Sequence, residues 1–406
     1  MNKSEQFNDL TCNFNVAQII EDSMRKYSTS MAYSCFGQSI TFAEVDKKSA
    51  ALASYLLEVA NLNYGDRVVI QLPNLMQFPI AAFAVLRAGL ILVNANPQYT
   101  AREVQHQIKD SDAKAIILLE NSLPVINSFV EETSIKTIIT TQMSNDFLIK
   151  SLNILTNEDK TGKTVDFSAA ITLGSRIKTI NRYNISDNDI AAIQYTGGTT
   201  GLAKGATLTH KNLLSNLKQV DHCIRNVYKN NEEVFIIPLP LYHIYAFGIC
   251  LLMFCKGNKS VLITDPRNID ALSATLAGEK FTGFCGINTL FLALCNHPNI
   301  ADIDFRGLKL TLSGGAALTA TASESWKNIT GCTISEGYGL SETSPVVTLN
   351  SPGQEKVGTI GLPLINTEVE IWDGNDTPVA NGESGEIVVK GPQVMMGYWQ
   401  KKEETD

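Results

Sequence analysis

Short apolar runs alternate with longer segments of helical periodicity in the early part of the chain. The runs of strand length are 67–72, 89–94 and 114–119, and the segments between them are long enough for helices. The second of these helices opens at Thr100, where Glu103 completes a capping box. Strands that alternate with helices in this way predict a parallel, doubly wound sheet.

The same alternation returns after a polar stretch. Residues 144–189 are rich in Asn, Asp, Ser and Thr, which indicates a connecting segment. Beyond it, the predicted strands are 234–238, 260–264, 282–285 and 309–313. After about residue 349 the apolar segments become short and are interrupted by Gly and Pro, which is typical of a small antiparallel sheet or barrel.

Composition and charge narrow the class of protein. With 44% hydrophobic and 18% charged residues among 406, the chain resembles an ordinary globular enzyme. The net charge of −8 argues against nucleic acid as a main partner. Eight scattered cysteines without a CxxC pair predict reduced core thiols in a cytosolic protein. The N-terminus lacks a signal-peptide pattern, and the longest apolar run, 244–255, is too short to cross a bilayer.

The most informative stretch is YTGGTTGLAKGA at 195–206, which follows the apolar run 191–193. A Gly/Thr loop at a strand end offers backbone N–H groups and hydroxyls to anionic oxygens, and Lys204 adds a positive charge. The loop does not fit GxGxxG, and it is not Walker A, because Gly205 follows the lysine where Walker A has Ser or Thr. It therefore predicts a nucleotide-phosphate site outside the two commonest phosphate-binding folds.

Two stretches offer candidate pocket residues. In PLPLYHIYAFG (238–248), Tyr242 and His243 could border a pocket, although a histidine in the core is the commoner case. LTLSGGAAL (310–318) could be the start of a helix that needs small residues. It could equally be a place where a flat ring lies against bare backbone.

Two more stretches carry weaker signals. In EGYGLSET (336–343) the central Tyr338 could stack on a base. Glu342 alone would be an ordinary surface carboxylate, but beside a triphosphate it becomes a candidate magnesium ligand. GFCGINTLFLAL (283–294) predicts an apolar helix that begins at Gly283 and Gly286. A core helix is the favoured interpretation of it, and a tunnel for a hydrocarbon tail is the alternative.

Together these motifs resemble, in order, those of the adenylate-forming superfamily of acyl-CoA synthetases, luciferases and adenylation domains. The match runs from about residue 40 to the C-terminus. YTGGTTGLAKGA, NPQYTAREVQHQIKDS, GINTLF and KGPQVMMGYW are most similar to bacterial long-chain fatty-acid–CoA ligases. Ala203 stands where proline is common elsewhere, which agrees with that subgroup, and Ser341 keeps the hydroxyl of the usual threonine.

The resemblance implies an AMP-forming acid–thiol ligase that uses ATP, Mg²⁺ and coenzyme A. A fatty carboxylate attacks the α-phosphorus of ATP, which gives acyl-adenylate and pyrophosphate, and the coenzyme A thiol then displaces AMP. The implied partners are the fatty acid, ATP and coenzyme A, with no nucleic acid. A cytoplasmic location follows, and peripheral contact with the inner face of a membrane and a homodimer are compatible with it.

Residue roles also transfer by position. Lys204 and the loop from Thr196 would hold the β and γ phosphates, Glu342 the magnesium, and Ser341 would contact the α-phosphate. The implied catalytic residues are Thr196, Lys204, His243, Ser341 and Glu342. The implied nucleotide-binding residues are Thr196, Gly197, Gly198, Thr199, Thr200, Gly201, Lys204, Gly315, Ala316, Glu336, Gly337, Tyr338, Gly339 and Ser341. The implied acyl-pocket residues are Tyr242, His243, Gly283, Gly286, Ser313 and Gly314.

Pattern and resemblance together predict an α/β fold of two doubly wound, mostly parallel subdomains packed together, with a small distorted antiparallel β-barrel. The whole chain, 1–406, would be a large N-terminal AMP-binding domain. Its predicted parts are helices and a hairpin at 1–60, a first α/β unit at 61–190, a second with the phosphate loop at 191–349, and the barrel at 350–406.

The family's ribose-binding aspartate, hinge and small C-terminal domain, with its adenylation lysine, would follow Asp406. We therefore expect this chain to bind ATP and acyl-adenylate analogues weakly and to make acyl-CoA poorly or not at all. Within the family, the alternatives are a ligase for aryl or medium-chain acids, or one that passes acyl-adenylate to a carrier protein. Outside it, a non-catalytic adenylate-binding module is the second hypothesis and a P-loop NTPase a distant third.

Overall fold

A computed structural model of the protein describes residues 14–144, 162–177, 183–196 and 202–405. Within these ranges, two large mostly parallel sheets and a two-stranded antiparallel sheet carry the fold. The α-helices are α1 (Val16–Lys26), α2 (Phe42–Ser54), α3 (Gln77–Arg87), α4 (Ala101–Ser111), α5 (Leu123–Asn127), α6 (Phe167–Ser175), α7 (His210–Ile224), α8 (Ile244–Cys255), α9 (Ile269–Gly278), α10 (Asn288–Cys295) and α11 (Ala320–Thr330).

The strands follow the same numbering along the chain. They are β1 (Met31–Cys35), β2 (Gln38–Thr41), β3 (Arg67–Gln71), β4 (Ile91–Asn94), β5 (Ala115–Leu119), β6 (Thr137–Thr141), β7 (Thr164–Asp166), β8 (Ile190–Thr196), β9 (Lys204–Thr209), β10 (Val234–Ile237), β11 (Lys259–Leu262), β12 (Gly283–Gly286), β13 (Leu310–Ser313), β14 (Ile334–Gly339), β15 (Val346–Leu349), β16 (Leu362–Pro363), β17 (Glu368–Trp372), β18 (Glu386–Lys390) and β19 (Gly397–Tyr398).

The first sheet has eight strands in the order β19-β9-β8-β4-β3-β5-β6-β7. From β8 to β7 all neighbours are parallel. Strands β5 and β6 are buried along their whole length, as expected for parallel strands covered by helices on both faces. The alternation of strands and helices predicted for this unit is confirmed, and so is the capping box between Thr100 and Glu103.

The second sheet has nine strands in the order β16-β15-β14-β13-β12-β10-β11-β1-β2. Its middle, from β14 to β1, is parallel. The N-terminal hairpin, predicted at 36–38, is present, but it extends this sheet because β1 pairs with β11. The hairpin therefore belongs structurally to the second unit.

The predicted boundary between the two α/β units at 190 and 191 does not match the sheets. Strand β8 pairs in parallel with β4, where Leu92 faces Ala192, and β9 folds back on β8. The hairpin that carries the phosphate loop is thus part of the first sheet. The reason is a pairing across about a hundred residues of chain, which local sequence patterns do not report.

Two further segments differ from their predictions. The predicted connecting segment contains β7 and α6, and α6 packs against α2 so closely that a Cβ at Gly174 would lie 1.8 Å from the carbonyl oxygen of Ala51. Where a small barrel is predicted, the described residues form the antiparallel pair β17–β18, while β15 and β16 extend the second sheet.

The core joins both sheets through α8. The rings of Phe42, Phe83 and Tyr33 lie 4.4, 4.6 and 5.7 Å from the ring of Phe254 in this helix. A helix that is apolar on all sides is expected in a core. No helix in the described ranges is long and apolar enough to span a membrane.

The cysteines of the described residues are free thiols, as predicted. Cys35, Cys250, Cys255 and Cys285 are buried in the core. Burial raises the pKa of the Cys250 thiol to about 12, so this group stays protonated and unreactive.

His210, at the start of α7, provides a test of the packing between α1 and the first sheet. Its Nδ1 accepts a hydrogen bond of 3.2 Å from the backbone N–H of Val16, and burial lowers its pKa from 6.5 to about 4. The His210 imidazole binds a proton more readily in the unfolded chain than in the folded one. The free energy of unfolding should therefore fall as the pH drops from 6.5 towards 4. The expected slope is up to about 1.4 kcal/mol per pH unit, measured by urea unfolding.

The matched variant is His210→Asn, whose side-chain oxygen can accept the same hydrogen bond but does not titrate. The free energy of unfolding of this variant should depend less on pH between 6.5 and 4 than that of the original chain. Equal slopes for the two proteins would contradict the assignment.

Candidate active site

A cavity of about 500 Å³ lies between α7, α8 and the carboxyl ends of β13 and β14. This is where ligands bind in open parallel sheets. Its lining includes His243, Ile244, Tyr245, Gly248, Ile249 and Leu252, Asn216, Leu217 and Val220, Ile287, Leu312 to Ala316, Gly337 to Ser341, and Pro345, Val346 and Leu349.

The part of the cavity between α7 and α8 is apolar, with Leu217, Val220 and Leu252 in its wall. Gly248 leaves room on α8, because an added Cβ there would meet only the Pro345 ring, at 3.5 Å. Two buried hydroxyls, of Tyr245 and Ser313, have no hydrogen-bond partner among the described residues. An apolar wall with a few polar atoms is typical of a small-molecule site.

The opposite part of the cavity is walled by bare backbone. The chain turns after β13 at Gly315, whose φ of +82° favours glycine. At Gly339 a Cβ would lie 1.9 Å from the carbonyl oxygen of Pro345, so glycine is required for close approach of β14 and the following turn. Gly314, Ala316, Gly337 and Tyr338 line the same wall, which suits the flat face of a ring.

Glu336 differs from its predicted role. Its Oε1 accepts a hydrogen bond of 2.9 Å from the backbone N–H of Leu318, and the residue is buried. The carboxylate is therefore turned into the loop that bounds the cavity, and it is not part of the cavity lining. A buried carboxylate needs a hydrogen-bond donor, and here the donor is the backbone of that loop. The Glu336 carboxylate therefore holds the loop in place.

His243 and Tyr242 have ring centres only 4.7 Å apart, but the two residues line different cavities. His243 lines the cavity just before α8, and partial desolvation there lowers its pKa. Tyr242 instead lines a neighbouring groove that includes Arg267. Tyr242 is not among the residues that line the cavity, and its acyl-pocket role stays a prediction.

Gly283 and Gly286 also do not line the cavity. They belong to β12, an interior strand, and not to the start of an apolar helix; that helix, α10, begins at Asn288. A Cβ at Gly283 would lie 2.3 Å from the Phe235 ring, and one at Gly286 2.9 Å from the Phe291 ring. These glycines accommodate core rings, and the acyl-pocket role expected for them stays a prediction.

The two ends of the predicted phosphate loop belong to one β-hairpin. Thr196 closes β8 and Lys204 opens β9, and these two residues face each other across the hairpin. The predicted phosphate contacts Gly197, Gly198, Thr199, Thr200 and Gly201 lie outside the described residues. Lys204 forms an ion pair with Glu404, and its Nζ lies 5.3 Å from the centre of the Tyr398 ring.

Glu342 lies in a short 3₁₀ turn, Ser341–Thr343, directly after the cavity-lining backbone. Its Oε1 accepts a hydrogen bond of 2.7 Å from the Tyr398 hydroxyl. Burial raises the pKa of Tyr398 to about 12, and the Glu342 carboxylate acts in the same direction.

The side chains around Glu342 suit a metal ion that binds together with a nucleotide better than one that the protein alone would hold. No cluster of three or more His, Cys, Asp or Glu side chains occurs in the described part of the chain. The Tyr398 hydroxyl contacts one oxygen of the Glu342 carboxylate, and the carboxylate has a second oxygen. Such a single carboxylate fits Mg²⁺, which takes one or two carboxylates and otherwise nucleotide phosphates.

Comparison with known proteins identifies the family. The sequence pattern described as AMP-binding enzyme matches residues 20–399. The chain belongs to the AMP-binding enzyme family. It is 40% identical over 403 residues to the long-chain-fatty-acid–CoA ligase of Salmonella typhimurium, which covers 96% of this chain and 72% of that protein.

Solved structures agree with the fold of this AMP-binding enzyme. The anthranilate CoA ligase AuaEII in complex with anthranoyl-AMP superposes with a TM-score of 0.86 at 21% identity, covering 97% of this chain and 73% of that one. The long-chain-fatty-acid–CoA ligase FadD1 of Archaeoglobus fulgidus gives 0.83 at 22% identity, covering 97% and 78%. The predicted superfamily and its two-sheet fold are thereby confirmed.

The structure of this AMP-binding enzyme brings nine of the predicted site residues to one place. His243, Ser313, Gly314, Gly315, Ala316, Gly337, Tyr338, Gly339 and Ser341 line the cavity. Sequence reasoning missed the wall from α7, Ile287 and the contact of Tyr398 with Glu342. The apolar spacing on α7 was available as a signal for a buried face, but nothing local identifies what that face borders.

Gly339→Ala tests the close approach that shapes the nucleotide side of the cavity. The new methyl group must displace the Pro345 carbonyl, so we expect a loss of about 1–3 kcal/mol in the free energy of unfolding and weaker ATP binding. Chemical denaturation and calorimetry measure the two effects. Gly374→Ala is the matched control, since a Cβ there meets nothing within 4 Å. Equal stability and ATP affinity for both variants would contradict the constraint.

Proposed function

We propose that this chain forms the acyl-adenylate site of a long-chain fatty-acid–CoA ligase, in which ATP activates the acid and coenzyme A accepts the acyl group. The observation that carries the proposal is one cavity with two different kinds of wall. One part of the wall is apolar, from α7 and α8, and another part is glycine-lined backbone that continues to Ser341 and, next to it, Glu342. The name of the Salmonella relative supports the same substrate class.

The fatty acid would bind with its tail between α7 and α8 and its carboxylate beside His243. A neutral imidazole can donate a hydrogen bond to a carboxylate without a fixed charge of its own. Each buried methylene contributes about 0.8 kcal/mol, so the tail would supply much of the binding energy. That energy would hold the carboxylate at the α-phosphorus, which is catalysis by positioning.

ATP would place its adenine against Gly315, Ala316 and the backbone 337–339, with its α-phosphate near Ser341. Lys204, Thr196 and the loop between them would hold the β and γ phosphates. Glu342 would hold Mg²⁺, which when bound supplies charge neutralisation to the phosphates. A polyphosphate would replace Glu404 as the partner of Lys204, because both are anionic and compete for one ammonium group.

Lys204→Ala tests the phosphate contact. Loss of one charge-assisted hydrogen bond should weaken ATP binding by about tenfold in isothermal titration calorimetry. Lys390→Ala is the control, because Lys390 is an exposed lysine paired with Glu368 on the two-stranded sheet. If the original chain binds no adenylate at all and self-associates stably, a non-catalytic module becomes the better hypothesis.

Gly248→Leu tests the acyl end of the cavity. The new side chain would project past Pro345 into the space between α7 and α8, so a palmitoyl-adenylate analogue should lose affinity while an octanoyl analogue keeps most of it. We expect the ratio of the two affinities to change by about tenfold. Gly278→Leu is the matched control at an open position of α9. Parallel losses for both analogues would place the tail elsewhere.

One observation favours the second candidate, a ligase for aryl acids. The unpartnered hydroxyls of Tyr245 and Ser313 could bind a polar ring substituent, which an alkyl tail lacks. Competition between palmitate, octanoate and coumarate in the complete enzyme would separate the two substrate classes. Contact with a membrane surface and a homodimer remain predictions from the same resemblance.

A further inference from the structure

One side chain outside the predicted site touches two of its charged residues. The hydroxyl of Tyr398 donates to Glu342 Oε1 over 2.7 Å, and the Tyr398 ring centre lies 5.3 Å from Lys204 Nζ. Lys204 opens β9 in the eight-stranded sheet, whereas Glu342 follows β14 of the nine-stranded sheet. Tyr398 therefore connects the two sheets where the phosphates would bind.

Backbone hydrogen bonds fix the segment around Tyr398 to both sheets. The N–H of Met396 donates to Thr207 over 2.9 Å, and the N–H of Trp399 donates to Gly205 over 2.7 Å, both in β9. The N–H of Met395 donates over 2.7 Å to the carbonyl oxygen of Glu342 itself. These three contacts, on both sides of Tyr398, leave the tyrosine little freedom to move relative to Glu342.

Side chains anchor the same segment from both ends. The Asn212 carboxamide in α7 donates to the carbonyl oxygens of Pro392 and Val394 over 2.9 and 2.8 Å. The indole N–H of Trp399 donates to the carbonyl oxygen of Asp110 in α4 over 3.1 Å. The tyrosine thus projects from a braced strand and not from a free loop.

We propose that Tyr398 is a positioning residue for nucleotide binding. Its hydroxyl holds one oxygen of Glu342 and leaves Oε2 for the magnesium of the ATP complex, and its ring holds Lys204 beside the phosphates. Pre-ordering a glutamate removes the loss of rotamer freedom that metal binding would otherwise impose. The ring acts through the attraction between an ammonium group and an aromatic face. This inference rests on the proposed function, which makes Glu342 the magnesium ligand.

Tyr398→Phe isolates the hydroxyl, because it keeps the ring and the strand pairing. Mn²⁺, as a paramagnetic stand-in for Mg²⁺, is titrated into the complete 406-residue chain with a non-hydrolysable ATP analogue and followed by electron paramagnetic resonance. We expect about fivefold weaker Mn²⁺ binding in the nucleotide complex, with the affinity for metal-free ATP unchanged. Tyr183→Phe, whose ring packs on Tyr64, is the control and should match the original chain.

A second variant, Tyr398→Leu, also removes the ring. It should weaken the binding of metal-free ATP several-fold in addition to the loss of Mn²⁺ affinity, because Lys204 is no longer held. Metal-free ATP affinity equal to that of Tyr398→Phe would overturn the role of the ring. Circular dichroism of each variant shows whether the fold is retained.

Glu342→Gln separates this inference from the proposed function. If Glu342→Gln loses Mn²⁺ affinity while Tyr398→Phe keeps it or binds the ion more tightly, the positioning role is overturned and the metal ligand stands. If Glu342→Gln keeps full Mn²⁺ affinity, the magnesium assignment in the proposed function fails, and the role of the Tyr398 hydroxyl fails with it.

Discussion

Burial of α8 between the two large sheets is the interaction on which the site depends. Phe254 of this helix packs against rings from β1, α2 and α3, so the helix is anchored to elements of both units. The same helix begins directly after His243 and carries Gly248 in the cavity wall. A shift of α8 would therefore move His243 and the apolar wall of the cavity together.

Polar contacts at the edge of this core position the segments that complete the site. Asn216 in α7 exchanges hydrogen bonds with the backbone of Val346, and Gln219 donates to the carbonyl oxygen of Ile365. Because these amides are buried, leaving them unpaired would be costly, which makes their partners well defined. As a result, one helix, α7, fixes the positions of two backbone segments that are distant from it in sequence.

The site combines a glycine-lined wall with Thr196 and Lys204, the residues that end β8 and begin β9. The glycine-lined backbone after β13 and in β14 is held by strand pairing and by the Glu336 carboxylate. Two charged residues of the predicted site, Lys204 and Glu342, both contact Tyr398. Such a division suits chemistry that proceeds by positioning and charge stabilisation.

The sequence alone determined the alternating strands and helices of the first α/β unit up to β5, four strands of the second unit, the family and nine of the residues that line the cavity, because apolar periodicity and short glycine motifs are local signals. Only the tertiary structure decided that the phosphate hairpin joins the first sheet, that Gly283 accommodates a core ring while Tyr242 faces a different groove, and that Tyr398 contacts Glu342. Each of these depends on which distant segments pair. Pairing is settled by the burial of whole elements, and no local pattern records it.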